Sequence, residues 1–139
     1  MLTNKTKYGL KALIYIYKNK HKTPIPIAEI AKSENISHKF LEAILLTLRK
    51  NKILASKKGK NGGYYLLKNP KEVYMSDVLR MLDGPIAMVP CVSLNYYERC
   101  EDCPDEATCG VNRLMLDVRD SVLDVLTNKS LVDLAEESK

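Results

Sequence analysis

The sequence predicts a mainly α-helical protein with a small β wing, and three observations carry that expectation. A short helical pattern, a turn and a longer amphipathic helix follow one another between Pro26 and Leu48. Next comes a basic, glycine-rich hairpin, Lys57-Lys58-Gly59-Lys60-Asn61-Gly62-Gly63-Tyr64-Tyr65, set between short β-forming runs. Beyond a linker of changed composition lies the longest helical stripe in the chain, starting at Val111. At 139 residues the chain is long enough to bury one core without crosslinks, so one core plus an appendage is expected.

Each element follows from local pattern. From Lys5 to about Lys18, Tyr8, Ala12, Leu13, Ile16 and Tyr17 recur at helical steps with lysines on the opposite face. Asn19 to Pro24 end that helix. Pro26 suits the first turn of the next, because the missing N–H of proline costs nothing there, and Ile27, Ile30 and Ala31 form its inward stripe. Ser33-Glu34-Asn35 make the turn. Ser37 is a natural N-cap for a second helix whose inward face is Phe40, Leu41, Ile44, Leu45 and Leu48, which leaves His38, Lys39 and Glu42 exposed near its start. Ile53 to Ala55 and Tyr64 to Leu67 are the wing strands, and Gly62 and Gly63 are expected to supply positive backbone angles and close approach to a phosphate. Ser76 opens or caps a short helix through Val78, Leu79 and Leu82 that stops at Gly84-Pro85. Leu114, Met115, Val118, Val122, Val125 and Leu126 continue the stripe begun at Val111, with Asp117, Arg119, Asp120 and Asp124 on the polar side. A stripe of this kind is most often core, but after a linker it fits a helix that packs on a second copy of itself. Leu131 to Lys139 reads as one short amphipathic turn or a frayed tail.

Helix, turn, helix and wing in this order form a winged helix-turn-helix unit, which lays its second helix in the major groove and reaches phosphate or the minor groove with the hairpin. The domain reading is residues 1–84 for DNA binding, 85–110 as a cysteine-bearing sensor loop, and 111–139 as a dimerisation helix with a C-terminal tail. Charge agrees. Residues 1–80 hold 17 Lys or Arg against 5 Asp or Glu, net +12, while residues 81–139 hold 5 against 12, net −7. A basic front half suits a polyanion whose counterions are released on binding, although a lysine-rich, low-GC genome is an alternative source of the count. Double-stranded DNA is the expected partner, read as a palindrome by a homodimer. No apolar run approaches the roughly 20 residues of a membrane span and no secretory core follows Met1, so no membrane partner and a cytoplasmic location are expected.

All four cysteines fall between Cys91 and Cys109, with gaps of eight, two and five residues. In a reducing compartment such a cluster binds metal or responds to redox change rather than forming structural disulfides. Cys91, Cys100, Cys103 and Cys109 are therefore candidate metal ligands. An iron-sulfur cluster, 2Fe-2S or 4Fe-4S, is the favoured cofactor; a structural zinc, a metal-free thiol switch and ligand-free cysteines remain open, because spacing does not separate metals. Enzyme chemistry finds no footing: His21 and His38 are the only histidines, Walker spacing is absent, and no βαβ pattern surrounds Cys100-x-x-Cys103. A purely architectural DNA binder would not need the cysteines.

Several motifs together resemble the Rrf-two regulators, the group that includes IscR, NsrR, RirA and CymR. They are Thr3-x-Lys5-x-x-Tyr8-Gly9-Leu10, Ile27-x-Glu29-Ile30-Ala31, Ile36-Ser37-x-x-Phe40-Leu41-Glu42-x-Ile44-Leu45, Leu48-Arg49-Lys50, Gly59-x-x-Gly62-Gly63-Tyr64, Leu82-Asp83-Gly84-Pro85 and the ending Val125-Leu126 with Leu131-x-Asp133-Leu134. The resemblance spans nearly the whole chain. It implies a dimeric winged-helix transcription regulator, a repressor by expectation, with an iron-sulfur cluster on Cys91, Cys103 and Cys109. With the helix start and the basic hairpin read above, the expected DNA surface is Thr3, Lys5, Tyr8, Ser37, His38, Lys39, Glu42, Lys57, Lys58, Lys60, Asn61, Gly62 and Gly63, and the resemblance implies that Glu42 reads bases and Lys58 the minor groove. Lys58 stands where arginine is usual, and lysine lacks the planar fork. Asn112 stands where IscR-like members carry a histidine ligand, and no Asp or Glu precedes Glu29 to supply an NsrR-like carboxylate. Cys100 is additional to the usual three and is the candidate for the fourth ligand.

Overall fold

The computed structural model describes residues 2–138; Met1 and Lys139 lie outside the described residues. Six α-helices and one two-stranded antiparallel sheet follow in the order α1 (Asn4–Lys18), α2 (Ile27–Glu34), α3 (His38–Lys50), β1 (Leu54–Lys57), β2 (Gly63–Leu66), α4 (Met75–Asp83), α5 (Gly110–Thr127) and α6 (Leu131–Glu137). Four short 3-10 turns fill the connections, two of them, Pro90–Val92 and Glu106–Thr108, inside the cysteine-bearing stretch.

The core is where the apolar stripes of α1 to α4 meet. Leu13 and Ile16 of α1, Ile30 of α2, Leu41, Ile44, Leu45 and Leu48 of α3, and Val78 and Leu82 of α4 form one buried cluster with Ile53, Leu54 and Leu131. Burying such side chains stabilises each by about 1.5–3 kcal/mol, which is what orders helices too short to persist alone. α1 passes so near α4 that a Cβ at Gly9 would lie 2.5 Å from Leu82 Cδ1. Phe40 departs from the expectation: it is 38% exposed at the edge of the stripe, where its ring meets Tyr8 edge-on at 5.9 Å.

Capping sets the helix ends. Ser37 caps α3 as the sequence implies, its hydroxyl accepting from Phe40 N–H at 3.2 Å. The turn before it is later than expected: Ser33 and Glu34 belong to α2, and the reversal is made at Asn35, in the left-handed conformation at φ 54°. Ser76 opens α4 rather than capping it: Tyr74 occupies the N-cap, and Ser76 lies buried in the first turn.

The wing pairs Leu54 with Leu66, Ala55 with Tyr65, Ser56 with Tyr64 and Lys57 with Gly63. A third segment joins it. Ile25 and Tyr64 exchange two backbone hydrogen bonds of 2.9 Å, so the stretch entering α2 is stitched to the outer edge of β2. The expected tail is also more than a frayed end. α6 carries a full capping box between Ser130 and Asp133, buries Leu131 and Ala135, and packs along α1.

α5 contrasts with every other helix. None of its residues is fully buried, and Val111, Leu114, Val122 and Val125 are exposed apolar side chains in an otherwise ordered helix. It touches α4 and the Pro90–Val92 turn and leaves its apolar stripe open. Among the described residues no helix is long and apolar enough to cross a membrane.

Candidate functional site

The start of α3 and the wing face the same shallow cleft. His38 lines it from α3, Lys57, Lys58, Gly62 and Gly63 from the wing, and Pro26, Ile27 and Ala28 from the entry to α2. Among the described residues no carboxylate lines it. Lys39 and Glu42 lie exposed on α3 close by in sequence, and Lys60 and Asn61 are exposed at the wing tip. Exposed cations that gain no internal partner keep their charge available to an anion.

Glycine is required at the wing for two distinct reasons. A Cβ on Gly63 would fall 2.3 Å from the carbonyl carbon and oxygen of Ile25 and 2.7 Å from Pro26 N, so the third segment can pair only with a residue lacking a side chain. A Cβ on Gly62 would fall 2.2 Å from the Lys57 carbonyl oxygen. Positive backbone angles were expected at Gly62 and Gly63; the turn places them at Gly59, φ 112°, and Gly63, φ 158°, and Gly62 is there for space.

The contacts made by Arg49 and Glu29 escape a reading of the sequence alone. Arg49, at the end of α3, donates to Ser56 Oγ of β1 at 3.1 Å and borders the cleft, tying the wing to the helix it accompanies. The motif Leu48-Arg49-Lys50 marks the position in the sequence but not this contact. Glu29 is held between Tyr15 Oη at 2.7 Å and Lys22 Nζ at 2.9 Å. The tyrosine hydrogen bond, then the lysine, lowers its pKa below the usual carboxylate value and keeps its charge internally matched. Thr3 caps α1, and both its N–H and its hydroxyl donate to Asp83 at the end of α4. Lys5 and Tyr8 are half-buried on α1, and Lys7 Nζ sits 5.2 Å above the Tyr8 ring.

The cysteines occupy one irregular loop. Cys91 lies in the Pro90–Val92 turn, Cys100 is exposed, Cys103 is half-buried, and Cys109 is the N-cap of α5. Tyr97 donates to Glu106, and Arg99 donates to the carbonyls of Cys103 at 3.0 Å and Pro104 at 3.2 Å, so the loop is folded on itself. A hydrogen bond with the Cys91 thiol raises the pKa of Cys100 above the ordinary thiol value, with desolvation and the charges of Cys91, Cys103 and Asp102 adding to it. Among the described residues no three His, Cys, Asp or Glu side chains are gathered closely enough to hold a metal ion. Asn112, unpromising as a ligand, is a donor instead: its Nδ2 lies 3.3 Å from Cys91 Sγ and its backbone N 3.4 Å from Cys109 Sγ.

A capped helix presented beside a basic wing, on a scaffold of packed helices, defines a DNA-binding regulator of the winged helix-turn-helix class. The sequence profile described as Rrf2, iron-dependent transcriptional regulator, matches residues 2–137. The chain belongs to the Rrf2 family. It is 41% identical over 137 residues to an rrf2-like HTH-type transcriptional regulator of Rhodobacter capsulatus, covering 96% of this chain and 91% of that protein. With the HTH-type transcriptional regulator IscR of Pectobacterium atrosepticum it shares 31% identity over 133 residues, covering 96% and 77%. The solved structure of CymR, the global cysteine regulator of Bacillus subtilis, superposes with a TM-score of 0.81 at 31% identity over 100% of this chain and 98% of that one. These relatives are transcription regulators and not enzymes, and so is this chain.

Proposed function

We propose that the protein represses transcription as a cytoplasmic homodimer that binds a palindromic operator and adjusts its grip to the state of its cysteine loop. The observation that carries the DNA half is the cleft where His38, Lys57 and Lys58 converge without a carboxylate. Glu42, exposed on α3, reads base edges by accepting from a cytosine amino group, while Lys58 tracks the minor-groove edge and Lys57, Lys60 and Asn61 engage phosphates. Gly62 and Gly63 let the wing backbone come close. Ser37 and Thr3 serve through the helix ends they cap, and Lys5, Tyr8 and Lys39 flank the same surface. The open stripe of α5, Val111, Leu114, Val122 and Val125, supports pairing with a second copy, which sets two α3 helices on successive major grooves.

Four thiols in one loop are the soft donors an iron-sulfur core takes, and the Rrf2 description of iron dependence supports that assignment. Cys91, Cys103 and Cys109 would hold the cluster and Cys100 would complete the set; bound there, it supplies chemistry sensitive to oxygen, nitric oxide or iron supply. The thiols must close in for this, and the exposed stretch around Cys100 gives the loop room to do so. Protein isolated without oxygen is expected to show visible absorbance with matching iron and sulfide. Cys103→Ala should abolish both and change operator affinity. If that variant keeps absorbance and affinity unaltered, the cluster reading is wrong; zinc without sulfide would make the metal structural.

A second reading has its own support. Cys91 and Cys100 are free thiols of one loop, near enough for Cys91 to raise the pKa of Cys100, and the CymR of Staphylococcus aureus, 30% identical, has been solved in an oxidized form. Oxidation by a peroxide would join the two sulfurs, the peroxide taking two electrons and two protons and leaving as water. Loss of two free thiols under peroxide, reversed by dithiothreitol and absent from Cys100→Ser, distinguishes this switch from the cluster.

A further inference from the structure

Asn112 and Arg119 lie about two turns apart on α5 and therefore share one face of it. Both reach the same 3-10 turn. Asn112 Nδ2 donates to Cys91 Sγ at 3.3 Å, and Arg119 Nη1 donates to the Val92 carbonyl at 2.9 Å. The guanidinium is well fixed: its side chain is 15% exposed, and its Nε and Nη2 both donate to Asp120 Oδ1, at 2.9 and 2.8 Å. Val92 is 1% exposed, so the turn is seated against the body rather than swinging in solvent.

The two clasps differ in kind. Arg119 holds a backbone carbonyl that no redox or metal chemistry alters. Asn112 holds a sulfur whose ability to accept a hydrogen bond, and whose position, depend on what else it is bonded to. Beside them an open apolar pocket between α4, the linker and α5 is lined by Leu79, Met88, Val118 and Val122 and bordered by Arg119 and Asp83. A packed interior resists displacement, and a void does not.

We propose that α5 reads the bonding state of Cys91 through this pair. Asn112 registers the sulfur, and Arg119 carries the resulting shift of the Pro90–Val92 turn into the helix; both are positioning residues and neither is a ligand. The inference rests on the sensor reading above, whichever chemistry engages the cysteines, and adds the route by which the signal leaves them.

The test uses the full chain, reduced and freed of metal, with a duplex selected in vitro from random sequence as the DNA probe. N-ethylmaleimide modifies the thiols, and peptide mass spectrometry follows Cys91. Alkylation of the natural chain is expected to change Kd about tenfold, within the usual range of coupling between sites. Arg119→Ala should leave the unmodified Kd, the melting temperature and the Cys91 alkylation rate near those of the natural chain, yet lose most of that change, with Arg119→Lys restoring part of it. Asn112→Ala should speed alkylation of Cys91 and diminish the change as well. A full response in Arg119→Ala, or in Cys91→Ser, overturns the route while leaving the sensor standing. No response in the natural chain removes the sensor and the route together.

Discussion

Gly63→Ala is the substitution whose cost the structure fixes most directly. Its new Cβ would sit 2.3 Å from backbone atoms of Ile25 and 2.7 Å from Pro26 N, and backbone cannot rotate away as the tip of a side chain can. The third segment must therefore leave β2, and the two 2.9 Å hydrogen bonds between Ile25 and Tyr64 go with it. Each such bond contributes about 1 kcal/mol net, and partial exposure of Ile25, now 1% exposed, adds about 1 more, so roughly 3 kcal/mol is at stake. For a chain of this length that lowers Tm by roughly 10 °C. Thermal unfolding followed by far-ultraviolet circular dichroism at fixed concentration measures it. Gly110→Ala is the control, since nothing lies within 4 Å of its Cβ and it opens α5, where alanine is neutral or favourable. A Gly63→Ala protein that melts within about 2 °C of the natural chain would refute the close-approach argument.

Lys58→Ala should weaken operator binding and reduce the slope of log K against log salt by about 0.9, measured by fluorescence anisotropy, whereas Glu42→Ala should alter sequence preference at nearly constant slope. Val125→Asp places a charge on the open stripe of α5 and should shift the species in sedimentation velocity from dimer to monomer, with operator affinity falling in step. Glu29, Asp83 and Asp133 supply the pH dependence. Tyr15 and then Lys22 lower Glu29; burial works to raise Asp83, but hydrogen bonding by Thr3 outweighs it; the Ser130 backbone and hydroxyl lower Asp133. A folded-state pKa below the unfolded one contributes stability that is complete above the unfolded carboxylate range, about 4, and is lost as pH falls through the folded values. Stability from urea titrations should accordingly decline below about pH 4, and Glu29→Gln should flatten that decline; an unchanged profile would show the ion pair contributes nothing.

Local chemistry made much of the fold legible. Ser37 announces α3 because a hydroxyl before a helical stripe satisfies orphan amides, and the stripes of α1 and α3 point inward because periodicity records burial. Periodicity alone finds α5 but not what covers it, since an apolar stripe looks alike in either case; its place after the linker is what points to the open stripe the structure shows. Phe40 shows the limit of the rule: it belongs to the stripe by spacing and to the rim by position. The bridge from Ile25 to Tyr64, the docking of α6 on α1, and the bond from Arg49 to Ser56 left no local trace, because contacts between distant segments impose no period on either. Asn112 stands at a ligand position by resemblance, yet its amide acts as a donor to Cys91. Nothing local distinguishes Arg119 from the other polar residues of α5, because its partner, the Val92 carbonyl, is brought beneath it by the fold.

The capping box at Ser130 has a mechanical consequence for the helix that precedes it. Beyond α5 the chain is pinned at once, Met75 N–H bonding to the Lys129 carbonyl and Leu131 N–H to the Val73 carbonyl, while Asn112 near its start and Arg119 at its middle fasten it to the Pro90–Val92 turn. A rod fastened to one frame at its start, middle and end resists swinging outward, and on the proposal above a change at Cys91 becomes a small roll about its own axis. Rolling by even a fraction of a turn re-aims every side chain along the rod. A small disturbance at one fastening would thereby be felt along the whole open stripe, and so along the seam proposed with a second molecule.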